Sequence, residues 1–435
     1  MAYGLNRRAF DRSSYDYWGG KYGTINVRDF GAVGDGAHDD TAAIQNAINT
    51  AGPLMAGVYL PPGTYMVSRS LVLSGGMQLI GSGHMASILQ LQNGANCDIL
   101  TTPNDGVQRY GLELRNFGIK GNAANQTMGD AIHLFGMNEC NIFNVYILDP
   151  YGSGIHVGDP TQAAGMYNTV PMITNCKLRG LENTSTGHGI FLDTGSSDAI
   201  LNGNDVGWFS SGGGITLSSH DGSVLSGNNC WQCKNGFYFY LVSRCRIVGC
   251  LSDLALQHGY VIQESNELQL SACESRESGQ SAASTYASFF MQGASGQNVG
   301  DVIMVGCSAF ASQASGIDVF EYAGSIRIVG CDVDNTAGGL SVGSTGISAG
   351  AVHVSGTAGL NPAGVLTAPA IPASGTAQAN AFPYRVRAFI SGGTVTAIAI
   401  NGTTTGLIIG TFELAPGETV TLTYSAAPSW TWFGL

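Results

Sequence analysis

The feature that most constrains the fold of this chain is a short segment that recurs every 22 to 34 residues. It has the form apolar-x-x-Cys or apolar-x-x-Asn, and the pentapeptide Arg-Ile-Val-Gly-Cys occurs twice, at 246–250 and 327–331. The segments end at Cys176, Asn204, Asn228, Cys250, Cys273, Cys307 and Cys331. Their spacings of 28, 24, 22, 23, 34 and 24 residues predict a solenoid whose longer intervals carry loops.

A second repeated segment, Gly-apolar-x-apolar, runs ahead of the first. It begins at Gly154, Gly189, Gly214, Gly236, Gly259 and Gly316. Two or three short strands per repeat, each with side chains alternating inward and outward, are typical of a parallel β-helix. Leucine-rich repeats have a similar period, but these segments are rich in Ile, Val, Gly and Asn. The sequence therefore predicts an all-β chain built on a parallel β-helix.

Composition and charge narrow the range of partners. Of 435 residues, 63 are Gly and only 11% are charged, which favours short strands and tight turns. The net charge of −12 argues against a nucleic acid or an anionic membrane as partner. No apolar run reaches the ~18 residues of a membrane span, and the N-terminus lacks the apolar core of a signal peptide.

The ten Cys residues are expected to be buried free thiols made in a reducing compartment. The Cys residues of the repeat should point inward and stack on successive turns. Cys230 and Cys233 form a CxxC pair, but without a matching second pair this is a weak zinc signal. No metal or other cofactor is predicted.

The N-terminal region carries a longer motif, DFGAVGDGAHDDTAAIQNAI at 29–48, followed by VYLPPGTY at 58–65. Asp39 or Asp40 is placed to cap a helix. The apolar face of that helix consists of Ile44, Ala47, Ile48 and Ala51. The motif closely resembles the start of the pectate-lyase-like right-handed β-helix superfamily, and in particular bacteriophage tailspike depolymerases.

This resemblance implies a right-handed parallel β-helix whose N-terminal helix covers the open edge of the solenoid. It also implies a homotrimer in the virion tail that cleaves a bacterial surface polysaccharide and attaches through its N-terminal segment. Such a protein would be made in the host cytoplasm. A bacterial protein released by a non-classical route is the alternative.

Four regions follow from the sequence pattern. Residues 1–23 are interpreted as an extension or attachment segment, and 24–355 as the β-helix. Residues 356–380, rich in Gly, Ala, Pro and Ser, are interpreted as a linker, and 381–435 as a small antiparallel β-domain. Its apolar end, Trp430, Trp432 and Phe433, would suit a subunit interface or an intramolecular cap on the last β-helix turn.

Side chains on the outer faces of a β-helix repeat every ~4.8 Å, which suits a linear polymer. One outward stripe contains His156, Asp193, Tyr238, Tyr240 and Glu264. A second contains Asp205, Trp208, Trp231, Asp253, Glu274, Arg276 and Glu277. We expect substrate to be bound by His156, Trp208, Trp231, Tyr238, Tyr240 and Arg276.

Glycoside hydrolysis requires two carboxyl groups, ~5–5.5 Å apart in retaining enzymes and ~6.5–9.5 Å apart in inverting ones. The first predicted pair is Asp253 with Glu274 or Glu277, the second is Asp193 with Asp205, and Glu264 is a further candidate. Of the motifs that mark polygalacturonases, only Gly187-His188-Gly189 has a counterpart here. Polygalacturonase chemistry is therefore not expected, and His188 is interpreted as a turn residue.

Two alternatives remain open. A polysaccharide lyase acting by β-elimination would need a base and a cation near a uronate, and the candidates are Lys234, Tyr238, Tyr240, Arg244 and Arg246. A tail protein or adhesin would bind glycan without cutting it.

Overall fold

The computed structural model describes residues 15–17, 23–161, 165–181 and 184–435. It is a parallel β-solenoid with a short helix near the N-terminus and a small antiparallel domain at the C-terminus. The predicted fold class is thereby confirmed. Most of the predicted N-terminal extension, 1–23, lies outside the described residues. The chain divides into two compact units, Met1–Tyr260 and Val261–Leu435.

The first unit contains three parallel sheets, and successive turns of the chain add one strand to each. Sheet 1 consists of Gly23–Asn26, Gly57–Leu60, Gln78–Gly81, Glu113–Arg115, Asn141–Phe143, Met172–Thr174, Ile200–Asn202, Val224–Ser226 and Arg246–Val248, with Tyr15–Tyr17 antiparallel at its edge. Sheet 2 consists of Asp35–Asp39, Gly63–Val67, Ser87–Leu91, Gly118–Lys120, Tyr146–Leu148, Lys177–Arg179, Asp205–Gly207, Asn229–Trp231 and Leu251–Asp253. Sheet 3 consists of Leu71–Val72, Leu100–Thr101, Ile132–Leu134, Ile155–Val157, Ile190–Leu192, Gly213–Ser218 and Asn235–Tyr240.

Smaller elements complete the first unit. Two short parallel pairs join Arg109–Tyr110 to Met137–Asn138 and Asn168–Thr169 to Ser196–Ser197. Short 3-10 helices occupy Val27–Phe30, Gly52–Leu54 and Ala123–Asn125. The strand Tyr260–Gln263 spans the boundary between the units.

The second unit continues the same strand pattern and ends in the C-terminal domain. Its solenoid strands are Gln269–Ser271, Glu274–Arg276, Phe289–Gln292, Val302–Val305, Ser308–Phe310, Ile317–Glu321, Ile326–Val329, Asp332–Asn335, Leu340–Val342 and Val352–Ser355. The antiparallel strands are Gly364–Leu366, Ala377–Ala379, Val386–Ser391, Thr394–Ile400, Thr403–Thr404, Gly410–Leu414, Thr419–Ala426 and Ser429–Gly434.

The repeated pentapeptide forms the corner between two strands of one turn. Gly249 and Gly330 both have φ of +58°, a left-handed conformation that other residues adopt at a cost. The following Cys250 and Cys331 are buried, as predicted for the Cys residues of the repeat. At the equivalent positions two asparagines are buried, and Asn204 Nδ2 donates to Asn228 Oδ1 at 2.9 Å. The segment recurs because the same corner geometry recurs.

The predicted helix spans Thr41–Ala51, and Ile44, Ala47, Ile48 and Ala51 are buried as expected. The two adjacent aspartates have separate roles. Asp39 Oδ1 accepts a hydrogen bond from the Thr41 N–H at 3.0 Å. Asp40 makes no side-chain cap and instead accepts from the N–H groups of Val33 and Gly34 at 2.6 and 3.1 Å. Both carboxylates are therefore structural.

The C-terminal domain consists of two four-stranded sheets. The segment interpreted as a linker supplies one strand to each, because Gly364–Leu366 pairs with Ser429–Gly434 and Ala377–Ala379 pairs with Thr419–Ala426. Its Gly and Pro residues obscured these short strands. Trp432 is fully buried in the core of this domain, and Trp430 Nε1 donates to the Pro369 carbonyl at 2.8 Å. Trp432 therefore belongs to the core of this domain, whereas a subunit interface that includes the half-buried Trp430 and Phe433 stays a prediction.

All ten Cys are free thiols, and nine are buried. Burial raises the pKa of Cys233 to about 12 and that of Cys230 well above its ordinary value. Within the described part of the chain, no helix is long and apolar enough to cross a membrane.

Candidate functional site

The outer face of sheet 3 carries one column of side chains at the same position on successive strands. Strand pairing aligns Thr101 with His133, His133 with His156, His156 with Phe191, and Phe191 with Thr216. The apolar residues on either side of each member point inward, so the alternation of the strand directs the middle residue outward. This column brings two histidines together.

His156 lies between two carboxylates. Its Nδ1–H donates to Asp130 Oδ2 at 2.8 Å, and its Nε2 lies 3.6 Å from Asp193 Oδ2. Burial alone would lower the pKa of His156, but the two carboxylates outweigh burial and raise it to about 9. The ring is 8% exposed, and Nε2 is buried without a hydrogen-bond partner. At neutral pH this is a buried imidazolium whose Nε2–H faces the Asp193 carboxylate at a distance longer than a hydrogen bond.

The same arrangement occurs one turn earlier. His133 Nδ1 lies 3.4 Å from Asp98 Oδ2, and His133 Nε2 lies 3.8 Å from Asp159 Oδ2. His133 is also 8% exposed, and its Nε2 is likewise buried and unpartnered. Asp98, Asp130, His133, His156, Asp159 and Asp193 thus form two successive Asp-His-Asp triplets, which we call the Asp-His cluster.

The two imidazole rings are stacked. Their centroids are 4.1 Å apart and their planes differ by 9°. Ligand atoms of Asp130, His133 and His156 lie within 4.8 Å of one another, close enough for a metal ion. A histidine binds a metal in the plane of its ring, and one ion cannot lie in both of two parallel planes. The rings as arranged suit proton transfer better than metal coordination.

His188 lies at the edge of the cluster. Its ring centroid is 4.6 Å from that of Phe191, which in turn stacks on His156 at 4.7 Å. The Gly213 N–H donates to His188 Nδ1 at 2.8 Å, which places the ring proton on Nε2. Burial, together with the charge of His156, lowers the pKa of His188 to about 4. His188 is therefore a neutral donor packed into the site rather than only a turn residue.

Of the residues predicted from sequence, His156, Tyr238 and Tyr240 lie on sheet 3, and Asp193 directly follows its strand Ile190–Leu192. Asp98, Asp130, His133 and Asp159 were missed. The signal was present as Gly-Asp-Ala-Ile-His-Leu at 129–134 and Gly-Ser-Gly-Ile-His-Val at 152–157. The segment at 129–134 was not included in the repeat because it precedes the series of Cys and Asn residues by which the repeat was defined.

Other predicted residues lie on sheet 2. Asp205 pairs with Arg179 and accepts from Trp231 Nε1 at 2.9 Å. Trp231 is in register with Asp253 on the next strand, and its ring centroid is 4.6 Å from that of Trp208. Asp205 thus lies on sheet 2, whereas Asp193 follows a strand of sheet 3, and the two carboxylates have different partners. The structure does not bring them together as a pair.

The remaining predicted carboxylates belong to the second unit. Glu274 pairs with Arg276 on the same strand, Glu277 is exposed, and Glu264 is half-buried. Asp253 belongs to the first unit, and its pairing with Glu274 or Glu277 stays a prediction.

The residues assigned to a lyase site are dispersed. Arg244 pairs with Asp221, and Arg246 lies on sheet 1, whereas Tyr238 and Tyr240 lie on sheet 3. These residues are close in sequence, but a corner of the solenoid lies between them. Their side chains are therefore not on the same sheet.

Residues 24–250 match the family model described as rhamnogalacturonase A/epimerase, pectate lyase-like. The chain belongs to this family. A second model, the right-handed β-helix region, matches residues 162–356 of this pectate lyase-like protein. The family includes proteins that act on polysaccharides, in agreement with the resemblance inferred from the N-terminal motif.

Among curated relatives of this pectate lyase-like protein, mannuronan C5-epimerase AlgE2 of Azotobacter vinelandii is 40% identical over 104 residues, 22% of this chain and 10% of that protein. The pre-neck appendage protein of Bacillus phage phi29 is 26% identical over 261 residues, 54% of this chain and 27% of that protein. The matches thus span about a tenth and about a quarter of the two relatives.

A solved structure, the Dettilon tailspike protein, covers 94% of each chain with a TM-score of 0.54 at 14% identity. At this identity the similarity establishes the fold alone.

Proposed function

We propose that this protein hydrolyses the glycosidic bonds of a polysaccharide at the Asp-His cluster. The observation that carries the proposal is the buried imidazolium of His156 between Asp130 and Asp193. The cluster lies on an outer face of a β-helix, where a polymer can lie across successive turns. General acid and base groups must lie within reach of the same bond, and the stacked triplets supply both.

The roles follow from the contacts. Asp130 holds the His156 ring through Nδ1, so that Nε2–H is free to donate. We assign Nε2–H as the general acid that protonates the leaving oxygen. The pKa of Asp193 is lowered, because hydrogen bonds and the charge of His156 outweigh its burial. Ionised Asp193 lies 3.6 Å from His156 Nε2 and stabilises the imidazolium. Asp193 is too close to be the opposing base of an inverting pair, which lies ~6.5–9.5 Å from the acid. We therefore assign the base that takes a proton from the attacking water to a carboxylate of the His133 triplet.

A second candidate is proton abstraction from a uronate ring, leading to epimerisation or elimination. The match of 40% identity to mannuronan C5-epimerase AlgE2 favours it. In this reaction the His156 imidazolium would offset the uronate carboxylate, and a neighbouring aspartate would take the ring proton.

The substrate and location are proposed from the phage relatives. The similarity to the phi29 pre-neck appendage protein and to the Dettilon tailspike supports a virion protein that meets a bacterial surface polysaccharide. We propose that it is a homotrimer. Sedimentation equilibrium should then give the mass of three chains, and a monomer mass would refute this assignment.

The experiment incubates the purified protein with capsular polysaccharides, O-antigens, mannuronan and rhamnogalacturonan. Three products are measured: new reducing ends, ultraviolet absorbance of unsaturated uronates, and deuterium incorporated from heavy water without cleavage. Reducing ends alone support hydrolysis. Reducing ends with absorbance indicate elimination, and deuterium alone indicates epimerisation. Binding of a polymer without any product would favour the adhesin and refute the proposal.

A further inference from the structure

A second group of aromatic and polar side chains lies on sheet 2, away from the strands that carry the Asp-His cluster. It comprises Arg179, Asp205, Trp208, Asn229 and Trp231. We propose that this group, the tryptophan site, is a separate carbohydrate-binding site that holds one sugar unit of the polysaccharide without cutting it. The proposal takes its ligand class from the proposed function, on which it rests.

Trp231 is fixed in one orientation. Its Nε1–H donates to Asp205 Oδ1 at 2.9 Å, and the guanidinium carbon of Arg179 lies 4.9 Å from the ring centroid. The ring lies over Gly207, where an added Cβ would come within 2.4 Å of Trp231 Cε2. Only glycine at 207 leaves room for the indole. A ring held in this way loses little conformational entropy when a ligand stacks on it.

Trp208 supplies the exposed part of the tryptophan site. It is 38% exposed, its Nε1–H donates to Gln232 Oε1 at 2.7 Å, and its ring meets Trp231 at an angle of 68°. Its φ is +64°, the left-handed conformation that also occurs at the equivalent corners of the next two turns, Gln232 and Leu254. This backbone geometry therefore belongs to the repeat.

Polar groups border the indoles. Asn229 Oδ1 is buried and has no hydrogen-bond partner, so it can accept from a ligand hydroxyl. Arg179 is neutralised by Asp205, and the site therefore carries no net charge that would select a charged substituent. A pyranose unit is recognised by an aromatic ring that packs against its C–H groups and by polar groups that hydrogen-bond its hydroxyls. The tryptophan site provides both.

The position of the site gives it a function distinct from the cluster. Its residues lie on strands of sheet 2 or, for Trp208, directly after one. The cluster residues that lie on strands, His133 and His156, belong to sheet 3. The tryptophan site contains no histidine and its only carboxylate is paired with Arg179. It therefore anchors a polymer that is cut elsewhere.

The test is native electrophoresis in gels cast with mannuronan, polygalacturonan or rhamnogalacturonan, in which binding retards migration. We expect wild-type protein to be retarded in at least one gel and Trp208→Ala to lose about tenfold in affinity there. Trp208→Phe should restore part of the loss. Phe310→Ala is the matched control, since Phe310 is also 38% exposed and should leave binding unchanged.

Turnover of short oligosaccharides, measured on the same variants, separates this proposal from the proposed function. The anchoring site predicts that Trp208→Ala raises KM for the polymer and leaves kcat on short oligosaccharides unchanged. Retardation of Trp208→Ala equal to wild type, or absence of retardation in all three gels, would overturn the anchoring site. Absence of any product, with retardation intact, would overturn only the proposed function.

Discussion

At the scale of single residues, the charge of His156 determines what the site can do. Because the folded pKa, about 9, is higher than the ordinary 6.5, the protonated ring stabilises the folded protein below pH 6.5. This contribution is lost as the pH rises through about 9. We expect the melting temperature of wild type to fall relative to His156→Gln between pH 6.5 and 9.5. Parallel melting curves across this range would contradict the charge assignment.

The corner of the repeat gives a second prediction at this scale. An added Cβ at Gly249 meets no atom within 4 Å, so Gly249→Ala should destabilise only through its left-handed backbone, by about 1 kcal/mol. Ala272 occupies the equivalent corner with φ of +50°, and Ala272→Gly is the reciprocal change. Urea unfolding should show opposite signs for the two variants. Equal signs would refute the common corner geometry.

At the scale of elements, buried amides connect one turn to the next. The Cys176 N–H donates to Asn204 Oδ1 at 3.0 Å, and Asn204 Nδ2 donates to the Ile173 carbonyl at 2.8 Å. Asn204→Ala leaves these buried groups unpaired and should cost about 1–3 kcal/mol in unfolding free energy. Asn202→Ala, at an exposed position two residues earlier, is the control. A loss no larger than that of the control would show that the amide connection is dispensable.

The repeat predicted the strands well because the inward apolar positions and the corner residues are local features of each turn. It did not predict which residues meet in space. His156 and Asp193 were assigned to an outer stripe, whereas Asp130, whose carboxylate accepts from His156 Nδ1, was missed. Asp205 was paired with Asp193, although Asp205 lies on sheet 2 and Asp193 follows a strand of sheet 3. The sequence period indicates which turn of the solenoid a residue belongs to. Which sheet the residue lies on depends on where the chain makes its corners, and the spacing alone does not give those positions.

At the scale of the whole molecule, the C-terminal domain has its own core. Trp432, Ile398 and Leu422 are fully or almost fully buried there. Trp432→Ala should destabilise this domain by about 3–5 kcal/mol. Calorimetry should show an earlier transition, and oligosaccharide turnover at the Asp-His cluster in the first unit should persist at temperatures above that transition. Loss of turnover in step with the transition would contradict the independence of the C-terminal domain from the cluster.

The most direct test of the central claim is the rate of product formation by His156→Gln on the polysaccharide that gives product with wild type. Removal of a general acid typically costs about 10²–10⁴ in rate, so we expect at least a hundredfold loss with electrophoretic retardation unchanged. Asp253→Asn, which tests the carboxylate pair inferred from sequence, should retain activity. A His156→Gln rate near that of wild type, with activity lost in Asp253→Asn, would contradict the Asp-His cluster as the catalytic site.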